Sequence, residues 1–207
     1  MGRIAGVSSE AVRERLLEAA VEVFCERGYE RASTAEIARR AGLSVGAIYS
    51  NYGTKAELLG HAIAAYVPVQ LAELFATGST DTARELMIQL GAALPTRSDR
   101  QGVMLIESFA AARRDPELAA LLTTGLERRV ATLRETVERA RRDGAVRPDL
   151  DADALARFCQ NLVIGTLIMN GLGLRRPDPD AWAAVIEHLV TSVAPAPTDS
   201  PSPSRTP

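Results

Sequence analysis

Between Ser44 and Lys55 the chain reads SVGAIYSNYGTK, a run of small, hydroxyl-bearing and aromatic residues in a sequence otherwise rich in Ala, Leu, Arg and Glu. The chemistry such residues can do is contact with an anion. Lys55 is the only lysine of the chain. Thr54 with Glu57 forms a capping box, so Lys55 falls at the first position of a helix. There the macrodipole disfavours a cation by about 0.3 kcal/mol or more. A phosphate at the same point reverses the sign, because ammonium and free main-chain N–H groups both attract it. Ser33 with Glu36 makes a second capping box, which puts Thr34 at a similar helix start, able to donate to another phosphate.

The residues just before Lys55 suit a different neighbour. A helix that enters the major groove needs small or polar side chains near its N-terminus so that its backbone can approach the base edges. Ser44, Val45, Gly46, Ala47 and Ser50 meet that demand, although a glycine within a helix costs about 1 kcal/mol against alanine. Tyr49 and Asn51 flank the same face, where a hydroxyl and an amide can donate to phosphates. Ile48 and Tyr52, four apart, point the other way and are expected to hold the helix against its neighbours.

The elements that must position these residues are all read at the helical period. Val12, Leu16, Ala20, Val23 and Phe24 stripe a first helix from Ser9 to Gly28. A short helix carrying Ile37, Ala38 and Ala41 ends at Gly42, the break GLS follows, and the next helix runs from about Val45 to Tyr52. A longer one opens at Thr54 and passes Tyr66 to Pro68, which must bend or end it. Further helices are expected near 80–94, 99–114, 116–143, 152–173 and 179–193, about nine in all, and no run alternates at period two. Two short helices joined by a tight Gly-containing turn behind a long one have the outline of a helix-turn-helix unit.

Composition bounds the rest. With 207 residues, 46% hydrophobic and 24% charged, the chain suits a soluble globular protein of one or two domains. Its net charge is only −2, so an affinity for nucleic acid must arise locally. From Arg31 to Lys55 there are four bases and one acid, a surplus of +3. Glu10, Glu14, Glu18, Glu22 and Glu26 recur along the first helix as a stripe expected to face away from the polyanion. Cys25 and Cys159 lie far apart, with no disulfide framework. No apolar stretch reads as a signal peptide or membrane span, so a cytoplasmic location without membrane contact is expected. His61 and His188 pair with no other candidate ligand, so neither a metal nor a cofactor is expected, and no nucleophile–base pair suggests an enzyme.

In order, the run STAEIARRAGLSVGAIYSNYGTKAELL resembles the N-terminal domain of TetR-type (tetracycline-repressor-like) transcriptional regulators, over roughly Ser9 to Tyr66. The later RDGAVRPDLDADALA is similar to the loop before the penultimate helix of many members. Two positions depart: Tyr52 stands where the family usually has Phe, and Asn51 where a phosphate-touching Tyr or His is common. The resemblance implies an all-α protein. Residues 1–66 would form a three-helix DNA-binding headpiece and 67–194 a larger helical effector-binding and dimerisation domain; by composition, the Pro/Ser-rich run at 195–207 has nothing to bury and is expected to be a disordered tail.

The resemblance implies as partners a double-stranded palindromic operator, a small-molecule effector of unknown identity and a second copy. The copies would meet through helices about 152–173 and 179–193, where Gly165, Gly171 and Gly173 are small enough for close packing. Tyr66, Gln89, Met104, Glu107, Asn161 and Met169 are the candidate effector-pocket residues, with Met87 a further candidate lining. The function implied is a homodimeric repressor released from its operator by the effector, with Pro68 a candidate lever bend. The competing reading is a helical interaction module or enzyme with an unused headpiece.

Overall fold

A computed structural model describes residues 8–66 and 80–195 of the chain. Within them lie nine α-helices and no strand: α1 Ser9–Arg31, α2 Thr34–Ala41, α3 Val45–Tyr52, α4 Lys55–Tyr66, α5 Thr80–Ala92, α6 Asp99–Ala112, α7 Pro116–Arg142, α8 Ala152–Gly171 and α9 Pro179–Ser192. A 3-10 turn, Leu94–Thr96, joins α5 to α6. No helix among the described residues is long and apolar enough to cross a membrane. Pro68, the side chain of Tyr66 and the Pro/Ser-rich run from 196 onward lie outside the described residues.

Helix ends follow side chains that satisfy orphan backbone groups. Ser8, one residue before the expected cap, accepts the Ala11 N–H at 3.1 Å and opens α1. Gly28, at φ 73° and ψ 164°, interrupts α1, which resumes for one turn to Arg31. Ser33, Ser44 and Thr54 cap α2, α3 and α4 in the same way. Asp115, Asp151 and Asp178 cap α7, α8 and α9, with Pro116 and Pro179 as first helical residues.

The apolar stripe of α1 is buried as its period requires: Leu16, Ala20, Val23 and Phe24 are fully covered. The buried cluster passes from these through Ile37, Ile48 and Leu58 to Met104, Leu118 and Leu167, so the headpiece and the larger domain share one core. Helix α6 is the spine, packing on α1, α7 and α8. Its approach to α8 is backbone on backbone: a Cβ on Gly102 would lie 1.9 Å from the Leu167 carbonyl oxygen, and one on Gly171 would lie 2.4 Å from the Gly102 carbonyl carbon. Gly171 therefore serves packing within this chain, while Gly165 and Gly173 face open space. Helix α9 packs on α5, where the Trp182 indole N–H donates to the Gly91 carbonyl at 2.9 Å.

Candidate nucleic-acid interface and ligand cavity

Helix α3 divides into two faces. Ile48 and Tyr52 are buried, and the Tyr52 hydroxyl donates to the Arg13 carbonyl of α1 at 3.0 Å. The Arg13 guanidinium covers the Tyr52 ring at 4.9 Å, which gives the phenol two partners that a phenylalanine would lack in part. On the other face Ser44, Val45, Gly46, Tyr49 and Ser50 are exposed, with Ala47 and Asn51 half-buried. The fold does not require glycine at 46, since an added Cβ would meet only the Ser44 hydroxyl at 3.7 Å, an ordinary contact.

Thr34 and Tyr49 come together across the α2–α3 turn, their hydroxyls 3.5 Å apart. Ser44 accepts the Ala47 N–H at 3.3 Å, which leaves its own hydroxyl hydrogen available. Asn51 turns its amide back to the Ala47 carbonyl at 2.7 Å, so that donor is engaged within α3 and not directed outward.

The cations behave differently from the sequence expectation. Lys55 does not point its ammonium to solvent: Nζ donates to the carbonyls of Tyr29 (2.7 Å) and Ala32 (3.1 Å) and lies 4.2 Å from the Tyr29 ring centre. Burial pushes this ammonium below the ordinary lysine value, against the opposing charges of Glu30 and Asp115. Arg15 donates to the Ala41 carbonyl at 2.6 Å, and Arg13 to the Asn51 carbonyl at 3.2 Å. Each of three cations thus closes the C-terminal end of a neighbouring helix, α1, α2 or α3, where orphan carbonyls and the macrodipole both favour positive charge. Their partners lie 23 to 38 residues away, so no local pattern could reveal them.

Arg40 is also engaged, donating to Glu26 at 2.8 Å and Glu36 at 3.2 Å. The glutamate stripe of α1 is exposed throughout, yet its last member holds α2 in place. Much of the +3 surplus therefore fastens the headpiece, while Arg31 and Arg39 remain exposed.

Glu107 stands at the joint between headpiece and larger domain. Its Oε2 accepts the Tyr29 N–H at 3.3 Å, in space left by the missing side chain of Gly28. Beside it the Tyr29 hydroxyl donates to Asp115 at 2.9 Å, and Thr54 donates to Glu117 at 3.0 Å. The Leu118 N–H, and after it the Tyr29 hydroxyl, hold the Asp115 carboxyl below the usual carboxylate range.

A cavity of about 420 Å³ lies between α5, α7, α8 and α9, walled by side chains such as Met87, Leu133, Val137, Leu155 and Leu162. Of the candidate pocket residues whose side chains are described, only the secondary one, Met87, lines it. Met104 is fully buried in the shared core, Gln89 is exposed, and Glu107 lies at the joint. Asn161 and Met169 border a separate, more open hollow by the α8–α9 turn. Asn170, buried nearby on α8, donates to the Leu94 carbonyl at 3.2 Å.

Comparison with known proteins places these features in a family. Residues 16–62 match the model described as bacterial regulatory proteins, tetR family. Residues 74–191 match the tetracyclin repressor-like C-terminal domain. The HTH-type transcriptional regulator UidR of Escherichia coli is 26% identical over 163 residues, covering 77% of this chain and 81% of that protein. Among solved structures, Salmonella enterica GusR superposes with a TM-score of 0.68 at 22% identity, covering 88% of this chain and 95% of its own. A transcriptional regulator from Saccharomonospora viridis, solved in complex with choline, gives 0.64 at 25% identity, covering 89% and 97%.

Proposed function

Since this chain belongs to the tetR family of bacterial regulatory proteins, we propose that it acts as a homodimeric repressor, released from a near-palindromic operator by a small-molecule effector. It is a DNA-binding transcriptional regulator. The observation that carries the finer reading is the division of α3: one face locked to α1 through Ile48 and Tyr52, the other presenting Ser44, Val45, Gly46 and Ala47. Val45, Gly46 and Ala47 meet base edges, and Thr34, Ser44 and Tyr49 donate to phosphates, while the Ser50 hydroxyl donates to the Ala47 carbonyl at 3.1 Å and leaves a small surface beside them. Asn51 serves α3 itself. At the start of α4 the anion is met by the main-chain N–H groups of Lys55 and Ala56, which have no acceptor within the helix.

Dimerisation is supported by six large apolar side chains that stay 42% to 57% exposed: Phe158, Met169, Leu172, Leu174, Val185 and Leu189, all on α8, α9 and their connection. Such a patch on a soluble fold marks an interaction face. A twofold pair through it sets two α3 helices one DNA turn, about 34–36 Å, or a multiple apart. The domain division near residue 66 is retained in this reading, with α1 to α4 moving as one headpiece. Among the described residues the cavity wall offers one aromatic side chain, Phe158, beside the like charge of Arg97, which argues against a quaternary ammonium held in an aromatic cage. Selection from random duplexes with the full chain tests the proposal. An enriched inverted repeat is expected, and enrichment of no motif would favour an interaction module that has kept the headpiece unused.

A further inference from the structure

Resting on the reading of the chain as ligand-responsive, we propose that the cavity between α5, α7, α8 and α9 binds an amphipathic carboxylate, its apolar body enclosed by the cavity and its anionic end held by Arg97. The volume, about 420 Å³, lies in the range of small-molecule sites. The wall formed by the described residues is almost wholly aliphatic, which suits an apolar ligand body.

What fixes the polar end is the state of each polar group among the described residues of the wall. The Thr136 hydroxyl donates to the Thr132 carbonyl at 2.9 Å, and that of Ser192 to the Leu189 carbonyl at 2.7 Å. Asp151 accepts the Ala154 N–H at 2.8 Å as the cap of α8, where the helix dipole offsets its charge. Burial raises the Cys159 thiol, which stays neutral. Arg97 is the exception. It is half-buried, its main-chain N–H reaches the Leu94 carbonyl, and its guanidinium has no partner among the described residues. An arginine at the wall of an apolar cavity is complemented best by a planar, bidentate acceptor, which a carboxylate supplies. An apolar body without that anion would leave the cation beside a desolvated surface.

Titration calorimetry on the full-length protein with octanoate, decanoate and 1-decanol tests this directly. Decanoate should bind at least about tenfold more tightly than 1-decanol, as expected for a charged hydrogen-bond pair. Its affinity should exceed that of octanoate by about fourfold per methylene. Arg97→Gln should bring decanoate down to the level of 1-decanol while leaving 1-decanol unchanged. Ala140→Phe, which fills the cavity, should remove both at an unchanged melting temperature. Equal binding of acid and alcohol by the unmodified protein would overturn the proposal, as would decanoate binding that survives Arg97→Gln. If Ala140→Phe instead changes self-association and no probe binds, the cavity belongs to a second copy. Because binding is read without DNA, its failure leaves operator recognition standing, whereas bound decanoate that does not release the operator contradicts only the repressor mechanism.

Discussion

Gly46 is a residue whose identity the chain does not need. The space around it admits a Cβ, and its backbone is ordinary helix. Gly46→Ala should therefore stabilise the protein by about 0.4–1 kcal/mol through the unfolded state, read as a higher melting temperature, yet weaken operator binding in a gel shift. Lys55 is the opposite case, a residue whose role within the fold is visible. Removing a charged donor from two carbonyls should cost about 1–3 kcal/mol, so Lys55→Ala should lower the melting temperature while the salt dependence of DNA binding stays the same. A salt slope reduced by about one would instead return the ammonium to phosphate contact. The small, exposed residues of α3 were legible in the sequence because a helix start that is neither apolar nor strongly polar is unusual. The inward turn of Lys55 was not, because its acceptors lie on another helix and belong to the backbone, which carries no sequence signature.

At the scale of elements, helix existence and ends were readable to within a few residues, since Ser, Thr, Asp, Gly and Pro act locally on backbone groups. Packing partners were not. Gly171 reads in the sequence as small enough for close packing between copies, and only its juxtaposition with Gly102 shows that α6 and α8 of one chain touch main chain to main chain. Gly102→Ala should destabilise by about 1–3 kcal/mol or more, as overpacking does, which denaturant unfolding would show as a lower midpoint. Alanine at Gly165, open to solvent, should be tolerated. The cavity was hidden for the same reason. Its wall combines the apolar faces of four helices that are each unexceptional alone, and its cation, Arg97, directly follows the short 3-10 turn beyond α5.

For the whole molecule, one core joins the headpiece to α6 and α7, and a polar joint of Tyr29, Glu107 and Asp115 lies at its surface. Movement of α6 or α7 is thereby placed in contact with the end of α1, which is how an effector in the larger domain could alter headpiece spacing. The exposed apolar face of α8 and α9 predicts that Leu172→Glu with Val185→Glu yields a monomer by sedimentation. Its melting temperature should be little changed, and its operator affinity should fall by about 10²-fold or more as the second half-site is lost. The central claim is that the outer face of α3 reads base edges, and repeating the operator selection with Val45→Thr and with Ala47→Ser tests it most directly. The account predicts a motif altered at the same position in both half-sites, with about 1–3 kcal/mol of changed preference there. An unchanged motif bound uniformly more weakly by both variants would contradict it.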